Sequence, residues 1–326
     1  MKIFRHAGLC ILVGLCFSIA PACVRAARSA DSAGQAQQQA VPLYTGQSID
    51  HLTKIIPALD GIAPAPSQDK LSSILDSMAG AIGSLLPRLP DLISHEQIFR
   101  TENKPGPAAP QQILSLTRPG TGPLDLTTIT KQTAHGEEFR YLMLVHRAPG
   151  GAVSLEESRT DMKGHALKHK GKSAVFASGF AYQWVLFASA NQSEFQFRYL
   201  GDQDVNGRRT FVLAFAQVPS QVRYPAVFVA GDQRAQYYYQ GILWVDQSSF
   251  NIVHLRSDIE TPLDEPYLRQ LTTDIRFRSV NIPGLDQSFW LPADVELLID
   301  QGTLIIHEQH HYTDYHLYHS TARIIP

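Results

Sequence analysis

The sequence predicts an α+β fold, an antiparallel sheet of about nine or ten strands with two to three helices packed on it. Three observations predict it. Apolar and polar residues alternate with period two through much of the chain beyond residue 90, as a half-buried strand requires. Turn sequences, Asn206-Gly207 above all, separate several of these runs. The runs do not alternate with helical patterns, which argues against a parallel sheet.

Taken in order, residues 48–59 form a short apolar segment, and the stretch IAPAPS ends it. The strongest helical pattern follows. Leu71, Ile74, Leu75, Met78, Ile82, Leu85 and Leu86 recur at three- and four-residue spacing, Ser67 is the candidate N-cap, and Pro87 closes a helix expected over 67–86. Its stripe faces either the sheet of its own domain or a partner. LISHEQIFR, LTTITKQ and EFRYLMLVHR are strand candidates, with a proline-rich loop over 101–124 between the first two. FASGFAYQWVLFASA, residues 176–190, spaces Phe180, Trp184 and Phe187 for a helix or two short turns carrying aromatic side chains onto the sheet. EFQFRYL and TFVLAFAQV flank Asn206-Gly207 as one hairpin; YYYQGILWV and NIVHLRSDI flank DQSSF as a second. Residues 219–235 lack a period and read as an excursion. TTDIRFRSVNI, ADVELLID and TLIIHEQHHYTDYHLYH supply three more strands.

The N-terminus reads as a targeting segment. Lys2 and Arg5 precede the apolar run GLCILVGLCFSIA, which has the length of a signal-peptide core and is too short to span a bilayer. Cleavage sites of the A-x-A type end at Ala22 and at Ala26. The expected organisation is a signal peptide over 1–22, or to 26, a flexible tether over 27–45 rich in Ala, Gln, Ser and Gly, and a single domain over 46–326. Export places the protein in the periplasm or outside the cell. No later stretch is apolar enough to be a transmembrane helix. All three cysteines, Cys10, Cys16 and Cys23, lie near this start, so the mature fold rests on its core and not on disulfides. A chain of roughly 300 residues buries about three quarters of its unfolded surface and can do so. Ala20-Pro21-Ala22-Cys23 loosely resembles a lipobox without the usual leucine, which makes Cys23 the candidate lipidation residue and outer-membrane anchoring an alternative to free secretion. The formal charge is −2, and loss of Lys2 and Arg5 with the acid-free residues 1–22 leaves −4, against a nucleic-acid partner.

HEQHH, residues 307–311, matches the H-E-x-x-H zinc motif, whose chemistry needs both histidines on one helix face. The flanks TLII and YTDYHLYH argue for a strand, where His307 and His311 lie about 13 Å apart, too far to share one ion. The third ligand is missing as well: Leu317 stands where an extended motif has histidine, and Asp314 is too close. A different site among His310, His311, His316 and His319 would need His254 or His95 from another strand. In the strand reading Glu308 points with His310 and Tyr312, opposite His307 and His311, and pairs with a neighbouring basic side chain. No nucleophile elbow, P-loop or dinucleotide fingerprint occurs. Without mature cysteines other than Cys23, thiol chemistry is excluded. The basic stretch MKGHALKHKGK, residues 162–172, fits a solvated hairpin loop or a contact with anionic lipid heads. No catalytic, cofactor-binding or metal-ligating residue is nominated, and the ligand-binding residues are unassigned.

The order of these segments, with the hairpin at 237–259 and its G-x-L-W-V-D strand, resembles the bacterial envelope proteins of the LolA-like and RseB-like group. More narrowly it resembles uncharacterised secreted proteins of soil bacteria that share an LP–E-x-x-x-R start and an H-x-Y-x-D-Y ending, here Leu89-Pro90, Glu96 and Arg100, then His310, Tyr312, Asp314 and Tyr315. The resemblance implies a curved half-barrel, no cofactor, no enzymatic activity, and a lipid or lipoprotein acyl chain as partner. The alternatives are an interaction or sensor module with a filled core, and an unrecognised hydrolase.

Overall fold

The computed structural model describes residues 42–105, 129–147, 153–167, 179–181, 183–230 and 232–318. Cys23 and most of the expected tether lie outside them. The main element is an open antiparallel sheet of eleven strands. Its spatial order is β1 (Ala63–Pro64), β5 (Phe195–Val205), β6 (Arg208–Gln217), β9 (Tyr239–Asp246), β10 (Ile252–Ile259), β11 (Gln270–Asn281), β12 (Ser288–Asp300), β13 (Ile305–Leu317), β2 (Leu92–Pro105), β3 (Ile129–Arg147) and β4 (Val153–Thr160). The C-terminal strand thus joins the two halves by pairing with β2 near the start of the domain. Strands β7 (Ala226–Ala230) and β8 (Gln233–Tyr237) form a separate hairpin where an irregular excursion is expected over 219–235, and β8 runs two residues past it.

Eleven strands about 4.8 Å apart would make a flat sheet nearly 50 Å wide. One core nevertheless unites Val145 near one end, Phe195 near the other, and Ile74, Met78 and Ile82 of helix α2 (Leu71–Leu85) between them. A 15-residue helix is only about 22 Å long, so the sheet must curve around it. The 3-10 turns Gln183–Phe187 and Ser189–Glu194 add Trp184 and Phe187 to the inner cover, and the β7–β8 hairpin adds Phe228 and Tyr237. The outer face is covered in part. Helix α1 (Ile49–Ile55) and the turn Pro57–Leu59 pack Leu52, Ile56 and Leu59 on Val212, Ala214, Ile242 and Trp244. Ser48 caps α1, its side chain accepting from the His51 N–H at 3.2 Å.

Turn chemistry sets the register of the predicted hairpins. Asn206 and Gly207 adopt positive φ, 52° and 77°, as a two-residue turn between β5 and β6 requires. Asp246 accepts from the backbone N–H groups of Ser248 and Ser249 and so folds DQSSF.

Of the 176–190 segment's two expected forms, the structure has the two short turns where it is described. Four expectations need correction. The long helix starts at Leu71, and Ser67 instead bonds Asp69 beside it. LTTITKQ and EFRYLMLVHR are not two strands; from Ile129 they are one 19-residue strand running through Gly136. Residues 101–105 belong to β2, not to the loop. Residues 42–45, placed in the tether by composition, are packed at Tyr44: its hydroxyl donates to Asp258 at 3.1 Å and its N–H to Gln240 at 2.7 Å. The short strands β1 and β4 had no expectation at all.

Candidate functional site

The inner face changes character between β13 and β4. Elsewhere it is aliphatic and aromatic; here it carries charge. Side chains alternate along a strand, so the even residues of β2 and β13 point inward together. They bring Glu96 and Arg100 of β2 beside Glu308, His310 and Tyr312 of β13, although more than 200 residues separate them in sequence. Strand β3 contributes Tyr141, and β4 contributes Glu157 and Arg159.

Glu96 is wholly buried and lies at the centre. Arg159 donates to it from Nε at 2.5 Å and from the terminal nitrogen at 2.8 Å. The Tyr312 hydroxyl donates at 2.8 Å, and His310 Nδ1 lies 2.9 Å away. His310 Nε2 lies 3.2 Å from Glu308, whose other oxygen accepts from Arg100 at 3.0 Å; Arg100 also pairs with Glu102 at 2.8 Å. An ionised carboxylate only accepts hydrogen bonds. With a carboxylate at each ring nitrogen, His310 must donate from both, and only the imidazolium has two N–H groups. The pKa shifts agree in direction. Burial disfavours the His310 cation, but Glu308 and Glu96 outweigh it and raise its pKa above the ordinary histidine range. Burial likewise opposes the Glu96 charge, but Arg159 and His310 prevail and hold its carboxyl at about 2.

The cluster therefore matches three carboxylates (Glu96, Glu102, Glu308) with three cations (Arg100, Arg159, His310). Glu157 is a fourth carboxyl. It accepts from the Gly179 N–H at 2.8 Å and from the Tyr141 hydroxyl, and burial, with the Glu96 charge adding to it, pushes its pKa up to about 7. Phe180 closes the cluster from above, its ring edge-on to His310 at 5.1 Å, and the Arg159 guanidinium lies over Tyr141 at 5.2 Å.

HEQHH lies within β13, in the middle of a strand. Glu308 and His310 face inward, and the basic partner of Glu308 is Arg100. His307 and His311 take the other face, where His311 pairs with Asp294 at 2.7 Å. His254 bonds Asp274 beneath Trp244, and His95 lies near Glu138, so neither joins His310. Among the described residues no group of three His, Cys, Asp or Glu side chains is placed to hold a metal ion. Of the stretch 162–172, residues 161–165 form a turn in which Asp161 caps the Lys163 and His165 N–H groups; 168–172 lie outside the described residues.

The two short motifs at the ends of the domain thus meet in space. Glu96, Arg100, His310 and Tyr312 join the cluster, while Asp314, at φ 53°, sits in a bulge that turns Tyr315 inward as well, its hydroxyl on the Pro292 carbonyl at 2.6 Å. The reading of the sequence missed Glu157 and Arg159. Their i, i+2 spacing in SLEESRT was the available signal.

No family model matches the chain, and no curated protein matches it. Solved structures do show similar chains. One is a DUF1329 family protein from Desulfovibrio piger, 10% identical, with a TM-score of 0.34, over 78% of this chain and 95% of that one. Another is a putative outer membrane lipoprotein-sorting protein domain from Vibrio parahaemolyticus, 12% identical, TM-score 0.36, over 76% and 93%. A third is a LolA superfamily protein from Nitrosomonas europaea, 13% identical, TM-score 0.31, over 77% and 94%.

Proposed function

We propose that the protein is a non-enzymatic envelope protein that binds an apolar chain, of a lipid or an acylated lipoprotein, on the inner face of its sheet. The observation that carries the reading is the nature of that face and its cover. Phe195, Phe215, Leu243, Ile275 and Leu297 form part of one continuous apolar surface, and among the described residues its cover is made of small separate pieces: helix α2, two short turns, and the β7–β8 hairpin, which adds Phe228 and Tyr237. The cavity between α2 and the sheet, lined by Ile82, Leu85, Trp184, Ile252 and Trp290, has room for about 10 Å³, at most one water. A chain seated at this point would therefore take the place of the cover.

Magnitudes decide which ligands can. Exposing the buried Ile74, Met78 and Ile82 costs roughly 1.5–3 kcal/mol each, or about 5–9 kcal/mol together. Each acyl methylene buried returns about 0.8 kcal/mol, so roughly six to eleven methylenes offset the loss. A sixteen-carbon chain exceeds that range, and a six-carbon chain falls short of it. Delipidated protein titrated with labelled fatty acids of both lengths should take up the long one alone. No uptake of the long chain would sink the reading.

The same small cavity favours a second reading, an interaction or sensor module with a filled interior that meets its partner at the surface. That reading gains if neither acid binds and the purified protein carries no lipid.

A further inference from the structure

We propose that Glu157 is a proton-dependent latch that holds the segment Gly179–Ala181 over the charge cluster, closed while its carboxyl is protonated and loosened when it ionises. This does not depend on whether the inner face binds an apolar chain.

The geometry comes first. Glu157 is a part-buried residue on β4, and its carboxyl is covered by the backbone of Gly179 and Ala181, whose N–H groups point at it. The segment so held carries Phe180, fully buried against His310, and Ala181, whose carbonyl accepts from the Trp184 indole at 2.9 Å. One carboxyl thus ties the charge cluster to the start of the aromatic cover. Charge balance comes second. Among the described residues the nearby cations Arg159 and His310 already bond Glu96, so a further negative charge at Glu157 finds no cation there with only itself to serve.

The groups facing Glu157 are few. Strand β2 brings Glu96, whose charge opposes ionisation. Strand β4 itself brings Arg159, which favours it but is committed to Glu96 by two hydrogen bonds. Strand β3 brings the Tyr141 hydroxyl, and β13 brings Tyr315, with His310 and Tyr312 beyond Glu96. The segment 179–181 brings backbone N–H groups and no titratable side chain. Those N–H groups would bind an ionised carboxylate more tightly, but burial outweighs them, so the net preference of the closed state is for the proton. Lifting the segment admits water and restores an ordinary carboxyl. The closed state therefore binds the extra proton. Its advantage is whole below the ordinary glutamate range and is lost as pH rises through about 7.

Hydrogen exchange of the full chain tests this, read by mass spectrometry on peptides covering 179–187 and on a control peptide from β5. After correction for intrinsic exchange, protection of 179–187 should fall at least tenfold from pH 5 to pH 8, since each unit crossed below the closed-state pKa is worth about tenfold. The control should not change. Glu157→Gln keeps an acceptor but cannot ionise, and should stay protected at both pH values. Equal protection of wild type at pH 5 and pH 8, or the same fall in Glu157→Gln, would overturn the proposal. If Glu157→Gln does not fold, the wild-type comparison decides: loss confined to 179–187 supports the latch, and an equal loss in the control overturns it.

Discussion

Replacing Glu96 by Gln tests the centre of the cluster. The side chain keeps its shape and loses its charge, leaving Arg159 and His310 without their shared carboxylate. The carboxyl is held at about 2 against an ordinary 4.5, and at about 1.4 kcal/mol for each unit this corresponds to roughly 3 kcal/mol favouring the ionised form. Breaking a buried ion pair by removing one partner typically costs about 3–5 kcal/mol, which agrees. The sign of the pH dependence follows. A carboxyl whose folded pKa is depressed contributes fully above its unfolded value of 4.5 and loses that contribution as pH falls through about 2. Urea unfolding followed by circular dichroism should thus show Glu96→Gln less stable than wild type by about 3 kcal/mol at pH 6. At pH 3 the gap should be less than half as large. A gap below about 1 kcal/mol at pH 6, or one that does not shrink at pH 3, would refute the electrostatic account.

Two further predictions concern other strands. In Gly241→Ala the new Cβ would fall on the backbone carbonyl of Arg256 in the neighbouring strand and 2.7 Å from the Phe215 ring, so urea unfolding should show a loss of about 3 kcal/mol or more, and a loss under 1 would refute the clash. His307→Ala and His311→Ala should leave metal content, measured on untagged protein, the same as wild type, and chelator should not shift the unfolding transition; one equivalent of zinc lost in each mutant would show that the pair ligates.

Much of the sheet was legible because its residues obey simple periods. Strand β5 alternates Phe195, Phe197 and Tyr199 against Gln196 and Arg198, and the Asn206-Gly207 turn fixes its partner. What escaped was polar and inward. Strand β4 presents Glu157 and Arg159 to the interior, the reverse of the usual pattern, so its period of two gave no sign of a buried face. Two-residue β1 has too few residues to show any period. Helix α2 was visible from its stripe, but its start was not: Lys70 at the N-cap position makes no side-chain bond, and the serine three residues earlier drew the boundary too far forward. Half of the charge cluster was visible as two short motifs, and nothing local to either said that they face each other.

The string HEQHH shows why local reading fails at that point. In a helix the outer histidines share a face and the glutamate stands between them. In β13 the period of two divides the string, sending His307, Gln309 and His311 outward and Glu308 with His310 inward. The residue that would activate water in a zinc site instead accepts from Arg100, and the histidine that a zinc motif ignores becomes the bridge between Glu308 and Glu96. Such a buried ion network adds little net stability over apolar side chains of the same size. Its effect is on register. Slipping β13 by one residue against β2 would turn Glu308 and His310 to the outer face and set His307 and Gln309 against Glu96 and Arg100, taking Glu308 from Arg100 and His310 from Glu96 in the core. The pairing of β13 with β2 is what joins the two halves of the sheet, so the charges sit at the seam where a slip would shift one half against the other.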